Sequence, residues 1–200
     1  MIYLASRSPR RRELLHQIAV SHEILLLRLD PKRGSDIDET PHAGEAPQDY
    51  ALRVARAKAE RGSWVAARRA ACVKKPVLAA DTTISLDGEI IGKPADAEDA
   101  VRILTRLAAR EHTVITAVAV AQGEHVETRI SSSQVTFGAL NEARIRHYVA
   151  TGEPMDKAGA YAVQGRAAAF ITRIEGSYSG IMGLPLAETA EMLKSFGIVI

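Results

Sequence analysis

Two hundred residues suit one domain, or two lobes sharing one cleft, and a hydrophobic fraction of 46% is enough to bury a real core. With 26 basic side chains against 24 acidic ones, a net charge of +2 predicts no nucleic-acid partner and no membrane surface, and the aromatics, only 4%, do not alternate with the basic clusters as base stacking requires. Cys72 is the single cysteine, so no internal disulfide forms; no apolar run reaches membrane-spanning length, and the N-terminus carries no signal-peptide core, so a soluble cytoplasmic protein is expected, with 1–200 as a single domain.

Residues 2–5 read as a short apolar strand. Ser8 is a natural N-cap and Pro9 takes the favoured first helical position, which predicts a helix over 10–19 with Leu14, Leu15 and Ile18 turned inward. Residues 24–27 read as a second strand, and 30–48, with Pro31, Gly34, Pro41, Gly44 and Pro47, as a loop. The pattern is helical over 49–72, with Gly62 placed to break or kink it. A buried strand over 77–84 leads through the hairpin signal Asp87-Gly88 to a partner strand over 89–91. Asp96 caps a helix that turns Ala100, Val101, Ile103, Leu104 and Leu107 to the core. Two long strands, 113–121 and 125–137, join near Gly123, and Asn141 caps a helix running to about residue 150. A glycine-rich polar segment over 152–165, a strand over 167–174 and a closing helix over 185–196 complete the chain. Helices interspersed with two hairpins predict a mixed sheet covered by helices.

Several constellations can carry phosphate chemistry. The turn Ser6-Arg7-Ser8-Pro9-Arg10-Arg11-Arg12 joins fixed cations and hydroxyls to a helix N-terminus, whose free N–H groups attract anions. Read alone, arginines in such a turn are more often surface charges on a capped helix. Asp81 ends the apolar run 76–80, where a carboxylate serves as a magnesium ligand or water activator, or stands as a solvated turn residue before Thr82. Lys93, held between Gly92 and Pro94, suits a phosphate oxygen, whereas Lys58 lies on a helix whose outer face is simply charged. Glu39 lies in an acidic loop beside Asp36 and Asp38. The amide of Gln164 can pair with a base edge but satisfies uracil and cytosine alike. Discrimination needs a fixed donor such as Arg11 aimed at the carbonyls of uracil or thymine. Ser177 and Tyr178 are open to ligand contact, with helix capping the alternative for the serine. The six histidines show no zinc-ligand spacing, and neither a GxSxG elbow nor a Walker A sequence is present.

Together, LASRSPRRRELL at 4–15, DIDET at 36–40, RVARAKA at 53–59, AADTTISLDGEIIGKP at 79–94, TAVAV at 116–120, YVATGEPMDKAGAYAVQG at 148–165 and EGSYSGIMGLPL at 175–186 resemble the Maf family of nucleoside triphosphate pyrophosphatases, in order and over almost the whole chain. The resemblance implies an elongated α/β fold of the Maf/ITPase-like kind: a mixed β-sheet flanked by helices, two lobes and a deep cleft. It implies hydrolysis between the α and β phosphates, a divalent cation (Mg2+ or Mn2+) and a homodimer. DKAGAYAVQG resembles the dTTP/UTP branch rather than the branch acting on 7-methyl-GTP. By resemblance Asp81 is the proton acceptor, Arg11, Thr82 and Gln164 set base choice, and Ser8, Arg10, Lys58 and Lys93 face phosphate. Glu39 is an entrance-loop acid, sharing the metal with Asp81, although residues 27–35 look like an insertion before it. The rival reading, from the family's association with septum formation, is a nucleotide-binding regulator of cell division with little catalysis.

Overall fold

The computed structural model describes residues 1–27, 29–30, 34–35, 37–68 and 75–200. Cys72, Asp36 and the expected end of the long second helix lie outside them. In chain order the elements are β1 (Ile2–Leu4), α1 (Pro9–Gln17), β2 (His22–Ile24), β3 (Leu29–Asp30), β4 (Gly34–Ser35), α2 (Pro47–Arg68), β5 (Val77–Leu86), β6 (Glu89–Ile91), α3 (Ala97–Leu107), β7 (Glu111–Gln122), β8 (His125–Phe137), α4 (Glu142–Val149), β9 (Ile171–Glu175), α5 (Tyr178–Met182) and α6 (Leu186–Ser195). Tight 3-10 turns at Glu153–Asp156, Ala158–Ala160 and Arg166–Phe170 connect α4 to β9.

Seven strands form one sheet in the order β2-β1-β5-β7-β8-β9, with β6 also on β5. β1 pairs parallel with β2 and β5, and every other pairing is antiparallel, so the sheet is mixed as expected. The decisive strand is β5. One edge pairs with β7 from Val77 to Ser85. The other edge is shared: β1 pairs with Val77 and Leu78, β6 with Ile84 to Leu86, and residues 79–83 between them have no strand partner on that side among the described residues.

Alternation along β5 sends successive side chains to opposite faces. Val77 and Ala79 meet α2 through a run of small residues, Ala51, Ala55 and Ala59, which pack with Ala117, Ala119 and Ala121 of β7. Leu78 and Ala80 face Leu14 and Leu15 of α1 and Met192 and Leu193 of α6. Past the divided edge a third core gathers Ile84, Leu86, Leu104, Phe137, Tyr148 and Tyr161 between the strand ends, α3 and α4. The two cores on the near half and the one on the far half are strung on the same long strands.

Caps and turns follow the sequence closely. Asp96 and Asn141 accept hydrogen bonds from the Asp99 and Arg144 N–H groups at 2.8 and 2.9 Å. Asp87 and Gly88 both take positive φ, 55° and 83°, as the two-residue hairpin demands.

Other expectations are corrected. Gly62 does not break α2, which runs unbroken from Pro47 to Arg68. It is there for close approach, because a Cβ would lie 2.7 Å from Val77 Cγ1. The second strand is His22–Ile24 rather than 24–27: its parallel register with β1 ends at Leu4↔Ile24, and Leu25 then turns into the core. Residues 167–170 form a tight turn, since the alanines there have little strand preference, and β9 begins at the β-branched Ile171. Asp81 does not end a strand. It lies in the middle of β5, buried, at the divided edge. The five-residue helix α5 was signalled in the sequence only by the capping alternative for Ser177.

Candidate functional site

The gap along β5 opens into a cleft of about 410 Å3. Ser8, Arg10, Arg11, Glu39, Lys58, Asp81, Thr82, Lys93 and Gln164 all line it, so the structure brings these predicted site residues to one cavity. An adjoining chamber of about 280 Å3 is walled by residues 5–11 of the arginine turn and by Leu25, Leu26 and Leu27. The chambers share Ser8, Arg10, Arg11, Glu39, Lys58, Lys93 and Asp156. One end of the cavity is therefore cationic. The other, with Ile84, Val114, Ala162, Val163, Ile181 and Met182, is largely apolar.

Asp81 points to the α2 face. Lys58 Nζ donates to Asp81 Oδ1 at 2.8 Å and stands 3.1 Å from Glu39 Oε1, bridging the two carboxylates. Close packing of the alanine stripe on the sheet brings Lys58 within reach; the side chain is cleft-facing, not part of a solvated charged face. Tyr50, which the sequence reading missed, donates to the Glu39 carbonyl at 3.0 Å. Burial, then the charges of Asp81 and Glu39, push the Tyr50 phenol up to about 12, so it remains a donor near neutral pH. Arg53 forks onto Glu45 at 2.6 and 2.8 Å and donates to the Thr40 carbonyl at 3.0 Å, pinning the entrance loop. Within that loop Asp38 turns its carboxylate to the Thr40 N–H at 2.9 Å, whereas Glu39 reaches Lys58.

Thr82 points to the opposite face. Arg11 is held there at three nitrogens: Nε donates to the Gly183 carbonyl at 2.8 Å, and the terminal nitrogens to Ser6 Oγ and Thr82 Oγ1 at 3.2 Å each. Burial lowers the Arg11 pKa from its usual value, and the Asp81 charge opposes the shift. Gly183 sits at φ +113°, a conformation that favours glycine, and turns its carbonyl to Arg11.

Ser8 occupies the N-cap position of α1 but makes no side-chain capping bond, leaving its hydroxyl to the cleft. Arg10 and Lys93 have no ion-pair partner among the described residues and line both chambers. Gln164 is exposed in the larger cleft, which Tyr161 also lines. Ser177 instead caps α5, accepting from the Gly180 N–H at 3.0 Å, and neither it nor Tyr178 lines the cleft.

The donor set fits a divalent cation of a particular kind. Among the described residues no group of three or more His, Cys, Asp or Glu is arranged to hold a metal. Two carboxylates sharing one ammonium match magnesium that takes one or two protein oxygens and completes its shell with phosphate and water. Among the described residues no helix is long and apolar enough to cross a membrane.

A mixed α/β sheet with a polar cleft at its divided strand, cationic at one end and apolar at the other, defines the class: a protein built to hold a small, highly charged ligand. The family model described as Maf-like protein matches residues 1–196, and the chain belongs to that family. A relative from Aromatoleum aromaticum, called a dTTP/UTP pyrophosphatase, is 57% identical over 98% of this chain and 95% of its own. One of the same name from Dechloromonas aromatica is 52% identical over 98% and 97%. Among solved structures, the Staphylococcus aureus Ham1 protein aligns over 68% of this chain and 71% of its own, at 15% identity and a TM-score of 0.44.

Proposed function

We propose that the protein is a nucleoside triphosphate pyrophosphatase that hydrolyses dTTP and UTP to the monophosphate and pyrophosphate. The observation that carries this reading is the division of one cleft. A buried carboxylate, Asp81, lines it together with the cations Arg10, Lys58 and Lys93 and with Arg11, Thr82 and Gln164, polar groups that suit a base edge. The relatives that carry the pyrophosphatase name over nearly full length support it.

In this reading the triphosphate lies against Ser8, Arg10, Lys58 and Lys93 and the base against Arg11, Thr82 and Gln164. Asp81 accepts a proton from a water aligned with the bond to be broken. The oxygen of that water attacks the α phosphorus, the α–β bridging bond breaks, and pyrophosphate leaves with the bond's electron pair. Charge growing on the leaving group is met by Lys93, Arg10 and the start of α1. A divalent cation, Mg2+ or Mn2+, held by Asp81 and Glu39 with the phosphates, would supply Lewis-acid polarisation of the phosphoryl oxygens. The protein works in the cytoplasm as a homodimer, a state that light scattering tests directly.

The test is pyrophosphate release, with magnesium, from dTTP, UTP, CTP, GTP and 7-methyl-GTP side by side. Preference for dTTP and UTP with pyrophosphate as product is expected. Turnover of 7-methyl-GTP alone would refute the base assignment, and release of inorganic phosphate instead would refute the reaction.

A further inference from the structure

Behind Thr82, away from the cleft, lies a second threonine that the reading above does not use. Thr116 is directly opposite Thr82 in the β5–β7 register and is fully buried. Its hydroxyl lies 2.8 Å from the Gly180 carbonyl and 2.9 Å from Thr82 Oγ1.

The proton count along this chain has one solution. A hydroxyl has one proton to donate and two lone pairs. A carbonyl only accepts, so the Thr116 proton goes to Gly180. The contact between the threonines must then be made by the Thr82 proton, donated to Thr116. Arg11 occupies one lone pair of Thr82 Oγ1 as a donor. Thr82 lines the cleft with its proton spent and one lone pair left, and Arg11 beside it can only donate.

We propose that Thr116, although it lines no part of the cleft, determines base choice by fixing the proton of Thr82, so that the base meets a hydroxyl able only to accept. This rests on the pyrimidine triphosphate reading. Uracil and thymine carry a donor at N3 between two carbonyls. With N3–H on Thr82 and a carbonyl on Arg11, both contacts are satisfied. Cytosine in the same pose sets the N3 lone pair against that of Thr82 and its amine against Arg11, and a buried mismatch of this kind is where hydrogen-bonding sites gain their selectivity. A hydroxyl free to rotate would donate to cytosine N3 instead. Thr116 is thus a positioning residue, acting through Thr82.

The experiment measures kcat/KM for UTP and CTP in the parent, Thr116→Val and Thr116→Ser. Valine keeps the shape and removes the acceptor that holds the Thr82 proton; the Gly180 carbonyl keeps the Gly183 N–H at 2.9 Å. The CTP-to-UTP ratio is expected to rise at least ~10-fold in Thr116→Val and to return to the parent value in Thr116→Ser. A loss of packing alone would lower both substrates together, and a ratio within about 2-fold of the parent in a folded valine variant overturns the inference. Should the valine variant not fold, the parent decides with UTP methylated at N3, which has no N3 proton: turnover equal to that of UTP overturns the inference, and a loss of ~10-fold or more is the expected result. A parent that does not prefer UTP to CTP at all would instead refute the proposed function.

Discussion

Replacing Asp81 by asparagine separates chemistry from folding, because the structure limits the stability cost. Asp81 is 8% exposed and takes a 2.8 Å hydrogen bond from Lys58. Breaking a buried ion pair commonly costs about 3–5 kcal/mol, since the surviving charge is left without a partner. Here Lys58 keeps Glu39 at 3.1 Å, and the asparagine carbonyl can still accept from it. The cost should therefore shrink to that of weakening one charge-assisted hydrogen bond, roughly 1 kcal/mol. In a chain of this size that lowers Tm by about 2–4 °C.

Catalysis should respond on another scale. Loss of a general base removes about 10²–10⁴ in rate, a barrier increase of roughly 3–5 kcal/mol. The assay is pyrophosphate release from dTTP with magnesium, run beside a thermal unfolding curve on the same preparation. A folded Asp81→Asn protein that turns over dTTP at the parent rate refutes the role of Asp81. A Tm fall beyond about 10 °C refutes the argument that Glu39 keeps Lys58 compensated.

Three further outcomes follow from neighbouring contacts. His112 is buried with Nε2 2.8 Å from the Tyr161 hydroxyl and no partner on Nδ1 among the described residues; burial lowers its pKa from 6.5 to about 4. The unfolded chain then binds the extra proton between those values, so stability should fall by up to about 3 kcal/mol as pH drops from 6.5 towards 4, and Thr or Phe in place of His112 should flatten that slope in urea titrations. Gly62→Val should cost about 1–3 kcal/mol in the same titrations, because its Cβ would fall 2.7 Å from Val77 Cγ1 at the α2–β5 contact. Arg53→Met removes the fork onto Glu45 and the bond to the Thr40 carbonyl, and a loosened Glu39 wall should raise KM for dTTP by roughly 5-fold or more, with an unchanged KM counting against the loop's part in binding.

What the sequence made legible was local. Asp96 and Asn141 announce helix starts because a short oxygen-bearing side chain satisfies N–H groups three residues on, and Asp87-Gly88 announces a hairpin because both residues tolerate positive φ. The misread positions depend on partners distant in the chain. Gly62 looks like a helix breaker until Val77 is placed against it. Lys58 looks like one more surface lysine until small alanines let α2 settle onto the sheet beside Asp81. The resemblance already singles out Glu39, and the structure turns Asp38 onto its own loop and Glu39 to Lys58. Tyr50 and Thr116 carry no local signal; a helix tyrosine and a strand threonine are tied to the cleft by their hydrogen bonds to Glu39 and Thr82.

The division of β5 also explains why polar residues are tolerated at the centre of the molecule. In a sheet paired on both edges, a mid-strand aspartate would be buried against backbone and apolar side chains at considerable cost. Along 79–83 one edge has no strand partner among the described residues, and the cleft that takes its place is reached from both faces of the strand. Asp81 on one face and Thr82 on the other can therefore serve the same cavity although they point apart. The groups that hold them come from opposite layers, Lys58 from α2 and Arg11 from α1. In the proposed reading Lys58 on the phosphate side and Arg11 on the base side are thus held in separate layers packed on one strand, so a change in α2 that disturbs Lys58 should alter turnover while leaving base preference, fixed through Arg11, Thr82 and Thr116, as it was.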